Sequence, residues 1–541
     1  MRMTNKIMQN NSLYNINNNK QLVDKLSTMM STNKKITRPS DDPVIAVRAL
    51  RLRSDVAQIT QYHEKNAEDA KSWLKVTSDA LDTTTEVLRK MTEQATRGAE
   101  DDLGYDNLEI IVTQLKSLRD EYYSTGNVDF AGRYIFTGYR TNSTLTYTED
   151  AKEEYKIYEK LDVSAVDTLN YTTIGDLKGI SKENYDPTTA TQPGEDENNI
   201  VNGDIYRIML SYDDLKSAAD GQNLSIEYVT NETTVPPQTA PLVPAADIIY
   251  MSSTANPNPY EAIQDPANAG KAILIPETGE LLLGKDLYDQ QFNINKTPLT
   301  SPLTANSQIR ISYDKNTWKK GDMRPQHYFE CTKKNPDGSS INYNWSKDET
   351  TNPPTPYISM KGESQIIEYD VGYNQKIRVN TLANEVFSMG MDRVIDDLEN
   401  ALAKLKEIDT ARTNLKNMMS GIKEGEPGYE NIKATYAAAD KAYTYIRHNM
   451  QKKFEHLITQ VEGFQSSANV AVTDSGTRAD RLDLIINRLS TQKTTFKTLQ
   501  SANEDIDVTE VTVQLTSMDN SYNSALMATS KILQNSLMNY L

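Results

Sequence analysis

Few residues in this 541-residue chain have the types and spacing that chemistry needs. There are four histidines, and His448 and His456 stand eight apart on a predicted helix with no third metal ligand in step. Asp41 and Asp42 are an adjacent carboxylate pair, a combination used in acid–base catalysis. They lie directly before Pro43, however, where carboxylates cap a helix, and capping accounts for both. Gly194-Glu195-Asp196-Glu197 is acidic but lacks the spacing of a calcium loop, so it reads as a solvated turn. The single cysteine, Cys331, sits in a predicted strand, Tyr328-Phe329-Glu330-Cys331, and reads as a packed thiol rather than a nucleophile. One cysteine cannot build an internal disulfide or a CxxC zinc site. The chain has no GxxxxGK[ST] phosphate loop, no GxGxxG after a strand and no GxSxG elbow. No catalytic, cofactor-binding or metal-ligating residue is therefore expected, and the chain reads as a non-enzyme.

The charge balance excludes further classes. Asp and Glu number 75 against 58 Lys and Arg, a formal charge of −17. Such a chain is repelled by nucleic-acid backbones and anionic bilayers. Mean hydropathy is −0.63, and no apolar run is long enough to insert in a membrane. Met1 to Asn19 is polar and rich in Asn, unlike the apolar core of a cleaved signal peptide.

Proline maps the elements. Seventeen of the twenty prolines fall between Pro187 and Pro356, which leaves 44–186 and 357–541 nearly free of helix breakers. The first such zone opens at Asp41-Asp42-Pro43, with Asp42 as N-cap, Pro43 as the first helical residue and both acids at the positive end of the helix dipole. From Ile45 through Leu52, Ile59, Leu74, Leu81 and Leu88 to Ala95, apolar or small residues recur in alternating steps of three and four. One extra four-step falls at His63, a stutter in a heptad stripe. His63 reads as a tolerated polar seam residue; the alternative is a pH-sensitive point. The spacing predicts one long helix over 43–97, a turn at Gly98 and Gly104, and a second stripe from Leu108 to Tyr122.

The chain ends carry their own stripes: Ile16, Leu22, Val23, Leu26 and Met30 at one end, and Leu515, Met518, Tyr522, Leu526, Ile532, Leu533 and Leu537 at the other. Both are short and polar enough to be marginal alone, so they are expected to order when neighbouring subunits bury them. Before the last stripe, runs at Ile395–Ile422, Tyr443–Phe464 and Leu482–Ile506 are helical, separated at Gly425-Glu426-Pro427-Gly428 and Asp474-Ser475-Gly476. The middle reads as β: runs such as Tyr206–Tyr212, Leu224–Tyr228, Ala272–Ile275 and Gln308–Tyr313 alternate with Asn, Asp, Pro and Gly. The Pro-rich stretch 236–259 is a candidate linker. The fold class is thus α+β: a long antiparallel helical bundle or coiled coil made by the N- and C-terminal regions, with an inserted, mainly antiparallel β region.

Four segments, in order, resemble one family. They are Ser31 to Pro43, ending Arg38-Pro39-Ser40-Asp41-Asp42-Pro43; Gly132-Arg133-Tyr134-Ile135-Phe136-Thr137-Gly138; Tyr373-Asn374-Gln375-Lys376-Ile377-Arg378-Val379-Asn380; and Gly476 and Arg478 leading to Glu504-Asp505-Ile506-Asp507 and the apolar C-terminal helix. Together they resemble the flagellar hook-associated protein 3 group of the flagellin superfamily, over about 1–148 and 366–541. Asn33 stands where that group commonly has Gly, and Asn also tolerates left-handed backbone. The resemblance implies assembly segments at 1–40 and 506–541, halves of a helical core at 41–148 and 376–505, and a variable β region at 149–375. It places a hairpin at Tyr134, Ile135 and Phe136. It further implies a structural subunit at the hook–filament junction, exported by the flagellar type III apparatus without a cleaved signal peptide. Implied partners are the preceding hook-associated protein, flagellin, copies of itself in a ring and an export chaperone. The alternatives are a minor flagellin that builds filament directly, or an adhesin or enzyme displayed by the middle region.

Overall fold

The proline-poor zones are helical up to Thr125 and from Ala383 onward, and carry strands between those points, in the computed structural model, which describes residues 5–100, 103–189, 196–295, 301–304, 306–351, 353–359 and 365–538, with backbone alone for Asn5 and 532–538. The helices are α1 (Asn5–Thr32), α2 (Pro43–Gln61), α3 (Ala67–Gly98), α4 (Tyr105–Thr125), the short α5 (Pro259–Ala262), α6 (Lys285–Leu287) and α7 (Ala383–Val386), then α8 (Gly390–Ser420), α9 (Tyr429–Glu504) and α10 (Val508–Met538). Asp42 caps α2 by accepting from the amides of Val44 and Ile45 at 2.9 and 3.1 Å. A π-helical turn, Tyr62–Asn66, joins α2 to α3 at the stutter. The consecutive four-residue steps Ile59–His63–Ala67 overrun the 3.6 repeat, and a wider turn absorbs the excess, so the stripe resumes at Ala67 and Ala70. The Nδ1 of His63 is buried there without a partner among the described residues.

Two units divide the chain. One comprises Met1–Ser72, Tyr369–Ile377 and Ala479–Leu541, and the other Trp73–Glu368 and Arg378–Arg478. In the second, the core unit, the α3 stripe is sealed: Leu74, Thr77, Leu81, Thr84, Leu88, Met91 and Ala95 are all buried. Thr84 bonds Thr125 at the end of α4 (2.8 Å), and α4 packs on α8. Helix α9 runs unbroken for 76 residues, 429–478 in the core unit and the rest in the terminal one, through the Asp474-Ser475-Gly476 separator. The small residues Ala468, Ala471 and Ser475 continue its buried stripe where no large apolar residue marks it.

The strands are β1 (Asp129–Phe130), β2 (Arg133–Tyr134), β3 (Glu154–Leu161), β4 (Val166–Thr172), β5 (Asn202–Met209), β6 (Ser225–Asn231), β7 (Gln238–Val243), β8 (Ile248–Tyr250), β9 (Ala272–Ile275), β10 (Glu280–Leu283), β11 (Ile309–Lys315), β12 (Glu330–Lys334), β13 (Ser340–Tyr343), β14 (Ser346–Asp348), β15 (Thr355–Tyr357), β16 (Glu368–Gly372) and β17 (Gln375–Arg378). They form two large sheets around one core and three two-stranded hairpins, β1–β2, β14–β15 and β16–β17. One sheet has the order β4-β5-β10-β9-β8 and the other β13-β12-β3-β11-β6-β7; the β8–β9 pair is parallel and the other pairings in both are antiparallel. Ile208, Leu274 and Leu281 from the first sheet and Ile157, Ile226 and Ile311 from the second share a single cluster. The Pro-rich stretch 236–259 is therefore no linker. It supplies β7 to one sheet and β8 to the other, because proline is tolerated at the sheet edge where β7 lies.

A buried charge cluster ties the first sheet to the helices. Arg207 of β5 pairs with Glu280 of β10 and Asp397 of α8, and Lys453 of α9 reaches Asp397 at 2.9 Å. Burial works against the Asp397 carboxylate, but Arg207 and Lys453 outweigh it and hold its pKa far below the usual range.

The hairpin is shorter than the resemblance implies. Only Tyr134 of the three named residues is on a strand, β2, paired with Asp129 of β1 across a turn in which Ala131 and Gly132 have positive φ. Ile135 keeps one bond across the hairpin, its amide donating to the Val128 carbonyl at 3.3 Å; both Ile135 and Phe136 are buried, with Phe136 edge-on to Phe387 at 5.2 Å and its carbonyl accepting from the Ala383 amide. They serve core packing, which outweighs further strand pairing.

Candidate assembly interface

In the terminal unit α1 lies along α10. The chain enters and leaves this pair through two turns held together by backbone bonds. Asn33 takes φ +54, the left-handed geometry that ends α1, and accepts from the Ile506 amide at 3.3 Å. Lys34 bridges Asp505, and the Lys35 amide donates to the Glu504 carbonyl at 2.7 Å. Asp41 closes the next turn by accepting from the Thr37 and Arg38 amides, and these bonds lower its pKa. Asp507 caps α10 through the amides of Thr509 and Glu510.

Charges lock the same joint. Glu504, 2% exposed, receives Arg53 bidentately at 2.7 and 2.6 Å, and Lys34 approaches Glu504 and Asp505 at 3.2 and 2.6 Å. The Arg53 hydrogen bond, with Lys34 adding to it, lowers the Glu504 pKa, and Asp505 raises that of Lys34. Sequence reading noted Glu504-Asp505-Ile506-Asp507 without finding its partners, because Arg53 and Lys34 lie more than 450 residues away.

The two terminal stripes meet only in part. Ile16 and Leu26 are buried; Val23, Met30, Leu515, Met518 and Tyr522 are half-buried; Leu22 and Leu526 remain exposed. The side chains of Ile532, Leu533 and Leu537 lie outside the described residues. Ile7, Leu13, Tyr14, Val513 and Met527 add further exposed apolar surface. A two-helix pair covers one seam on each partner and leaves the flanks in water. Contrary to the expectation that both segments order only against neighbours, each is helical and paired with the other within the chain.

The residues considered for chemistry are scattered. Cys331 is buried in β12, and burial pushes its thiol pKa up. His327 is buried near Arg140, and its pKa falls to about 3, chiefly through loss of solvent. His456 Nε2 lies 3.4 Å from the Gln460 side-chain amide on its own helix. Gly194 and Glu195 lie outside the described residues, and Asp196 caps a short 3-10 turn. Among the described residues, no group of three or more His, Cys, Asp or Glu is placed to hold a metal ion, and no helix is long and apolar enough to cross a membrane. The arrangement offers paired, half-covered apolar helices on a charge-locked joint.

Residues 3–141 match the family model of the bacterial flagellin N-terminal helical region. That match covers α1 to the turn after β2, and it makes the N-terminal helical region of this chain flagellin-like. Flagellar hook-associated protein 3 of Salmonella typhimurium is 30% identical over 176 residues, 32% of this chain and 55% of that protein. The protein of the same name from Escherichia coli is 28% identical over 178 residues, with the same coverage. The chain is thus a homologue of proteins named flagellar hook-associated protein 3, and it spans about half of their length. Among solved structures, FlgL of Xanthomonas campestris is similar at 13% identity with a TM-score of 0.28, covering 83% of this chain and 99% of that one. The flagellar junction protein FlgL of Legionella pneumophila is similar at 10% identity with a TM-score of 0.24, covering 80% and 99%.

Proposed function

We propose that this chain is a structural subunit of the bacterial flagellum, built into the hook–filament junction and held there by its terminal helices. The observation that carries the reading is the α1–α10 pair, a two-helix seam that leaves Leu22, Leu526 and their neighbours in water. Exposed apolar flanks on paired helices are stabilised when further helices cover them, as neighbouring subunits in a tube do. Similarity to hook-associated protein 3 supports the same place of action. On this reading the partners are the preceding hook-associated protein, flagellin and copies of the chain itself. Before assembly an export chaperone shields the terminal helices, and export runs through the flagellar type III apparatus. The β-sandwich is carried outward as a passenger of the helical core.

Antibody labelling of isolated flagella tests this. The expected pattern is a single band at the hook end, and removal of 508–541 abolishes it. Decoration along the whole filament establishes a minor flagellin instead, and absence from flagella defeats both.

A further inference from the structure

Charge is divided unequally between the two units. The terminal unit holds 18 Lys and Arg against 15 Asp and Glu, while the core unit holds 40 against 60. The −17 of the whole chain thus conceals a slightly basic region and a strongly acidic one.

Two helix faces express this division. On α2, Ala46 and Ala49 are buried and Arg53 turns to Glu504, while Val44, Val47 and Leu50 are 69%, 52% and 62% exposed. Arg48 and Arg51 lie beside them, exposed and without an ion pair among the described residues. Positions 44, 47, 48 and 51 share one side of a 3.6-residue helix, so this face is an apolar strip edged by guanidinium groups. On α9, Val461, Ala468, Ala471 and Ser475 are buried. The opposite side presents Glu462, Ser466, Asn469, Val470 and Thr473, with Val470 66% exposed and Glu462 exposed and unpaired among the described residues. This second face is an apolar centre among small polar side chains, with a carboxylate at one end. It lacks the large side chains that would block a helix from approaching.

We propose that the outward face of α2 docks on the Glu462–Thr473 face of α9 in a second copy of this chain. Val47 meets Val470, and Arg48 and Arg51 reach Glu462. The small side chains of Ser466, Asn469 and Thr473 leave room for the arginine stems. The inference rests on the proposed role in a flagellar ring. It adds a surface distinct from the α1–α10 pair, one in which opposite charges set the pairing of copies and the apolar strip is covered on contact. The occupant is a second copy because the face that carries Glu462 and Val470, the carboxylate and apolar centre that complement the arginines and valine of α2, is present on each subunit, whereas within one chain both faces stand in water.

The test uses the full chain with Val47→Cys and Val470→Cys together, oxidised in isolated flagella. Cys331 is fully buried and does not compete. The expected product is a ladder of disulfide-linked species at multiples of the chain mass, starting at twice that mass and absent from either single variant. A second arm keeps the idea falsifiable should the cysteine pair fail to incorporate. Arg51→Glu and Glu462→Arg are each expected to lower incorporation roughly tenfold, and the two together restore most of it. Two results overturn the inference: no linked species from incorporated double-cysteine protein, or no rescue by the paired reversal. A single reversal that lowers incorporation without rescue assigns the α2 face to a different acidic partner. Loss of the unmodified chain from flagella defeats the junction reading itself, whereas its presence without crosslinking defeats only this interface.

Discussion

The stripe on α3 and the stripe on α1 follow the same apolar rhythm, yet the folded chain treats them oppositely. Leu81, Leu88 and Met91 are wholly buried against the helices and turns of the core unit, while Leu22 on α1 is 40% exposed although it pairs with α10. The difference lies in the number of partners. A stripe enclosed on several sides is satisfied within one molecule; one facing a single helix keeps its flanks in water. Stability therefore resides in the core unit, and unsatisfied surface resides in the terminal one.

Substitutions can break this contrast, and the largest effect belongs to the core. Leu81→Ala is expected to cost about 3 kcal/mol, because it opens a cavity in packed surroundings. Leu22→Ala is expected to cost less than about 0.5 kcal/mol in the free chain while reducing incorporation into flagella. Urea melts of both variants decide the point: equal losses mean that the two stripes are equivalent. Gly98→Ala is next. An added Cβ would lie 2.4 Å from the Phe454 ring, so about 2 kcal/mol of overpacking strain is expected in the same melt.

In the terminal unit the largest effect is electrostatic. Glu504→Gln leaves Arg53 without its carboxylate and is expected to destabilise the joint by about 1.5 kcal/mol. The sign follows from the lowered Glu504 pKa. Its stabilisation is fully present above the ordinary glutamate value of 4.5 and fades as pH falls through the folded value. Lys34 is raised, so its share is lost only at alkaline pH, through its folded value. Hydrogen exchange at the amides of 33–42 and 504–510 should loosen on acidification in the native chain and lose that response in the variant. The smallest effect is at Asn33. Changing it to Ala at φ +54 is expected to cost about 1 kcal/mol, and changing it to Gly close to nothing. Equal values for the two would mean that the turn does not depend on left-handed backbone.

Much of this was legible along the chain. Proline spacing marked the helical zones but not the strands within them from Asp129 to Thr172, the heptad steps picked out the residues buried in α3, and the stutter at His63 fell where the π turn lies. The Asp42 cap was readable because capping is local: donor and acceptor stand two or three residues apart. The continuity of α9 was not readable, since Ala468, Ala471 and Ser475 give no hydrophobic signal and Ser475-Gly476 imitates a break. The path of 236–259 was hidden for a related reason: proline suggests a linker until a sheet edge is available to receive it.

By itself the sequence determined which residues are apolar, how they are spaced and where α2 begins, because those properties depend on neighbours within a few positions. Tertiary structure alone decided the rest. It brought Arg53 and Lys34 to Glu504, joined two sheets around one core, and left one stripe covered and its counterpart in water. Those outcomes depend on what comes to lie beside each face, and that is set by contacts between residues hundreds of positions apart.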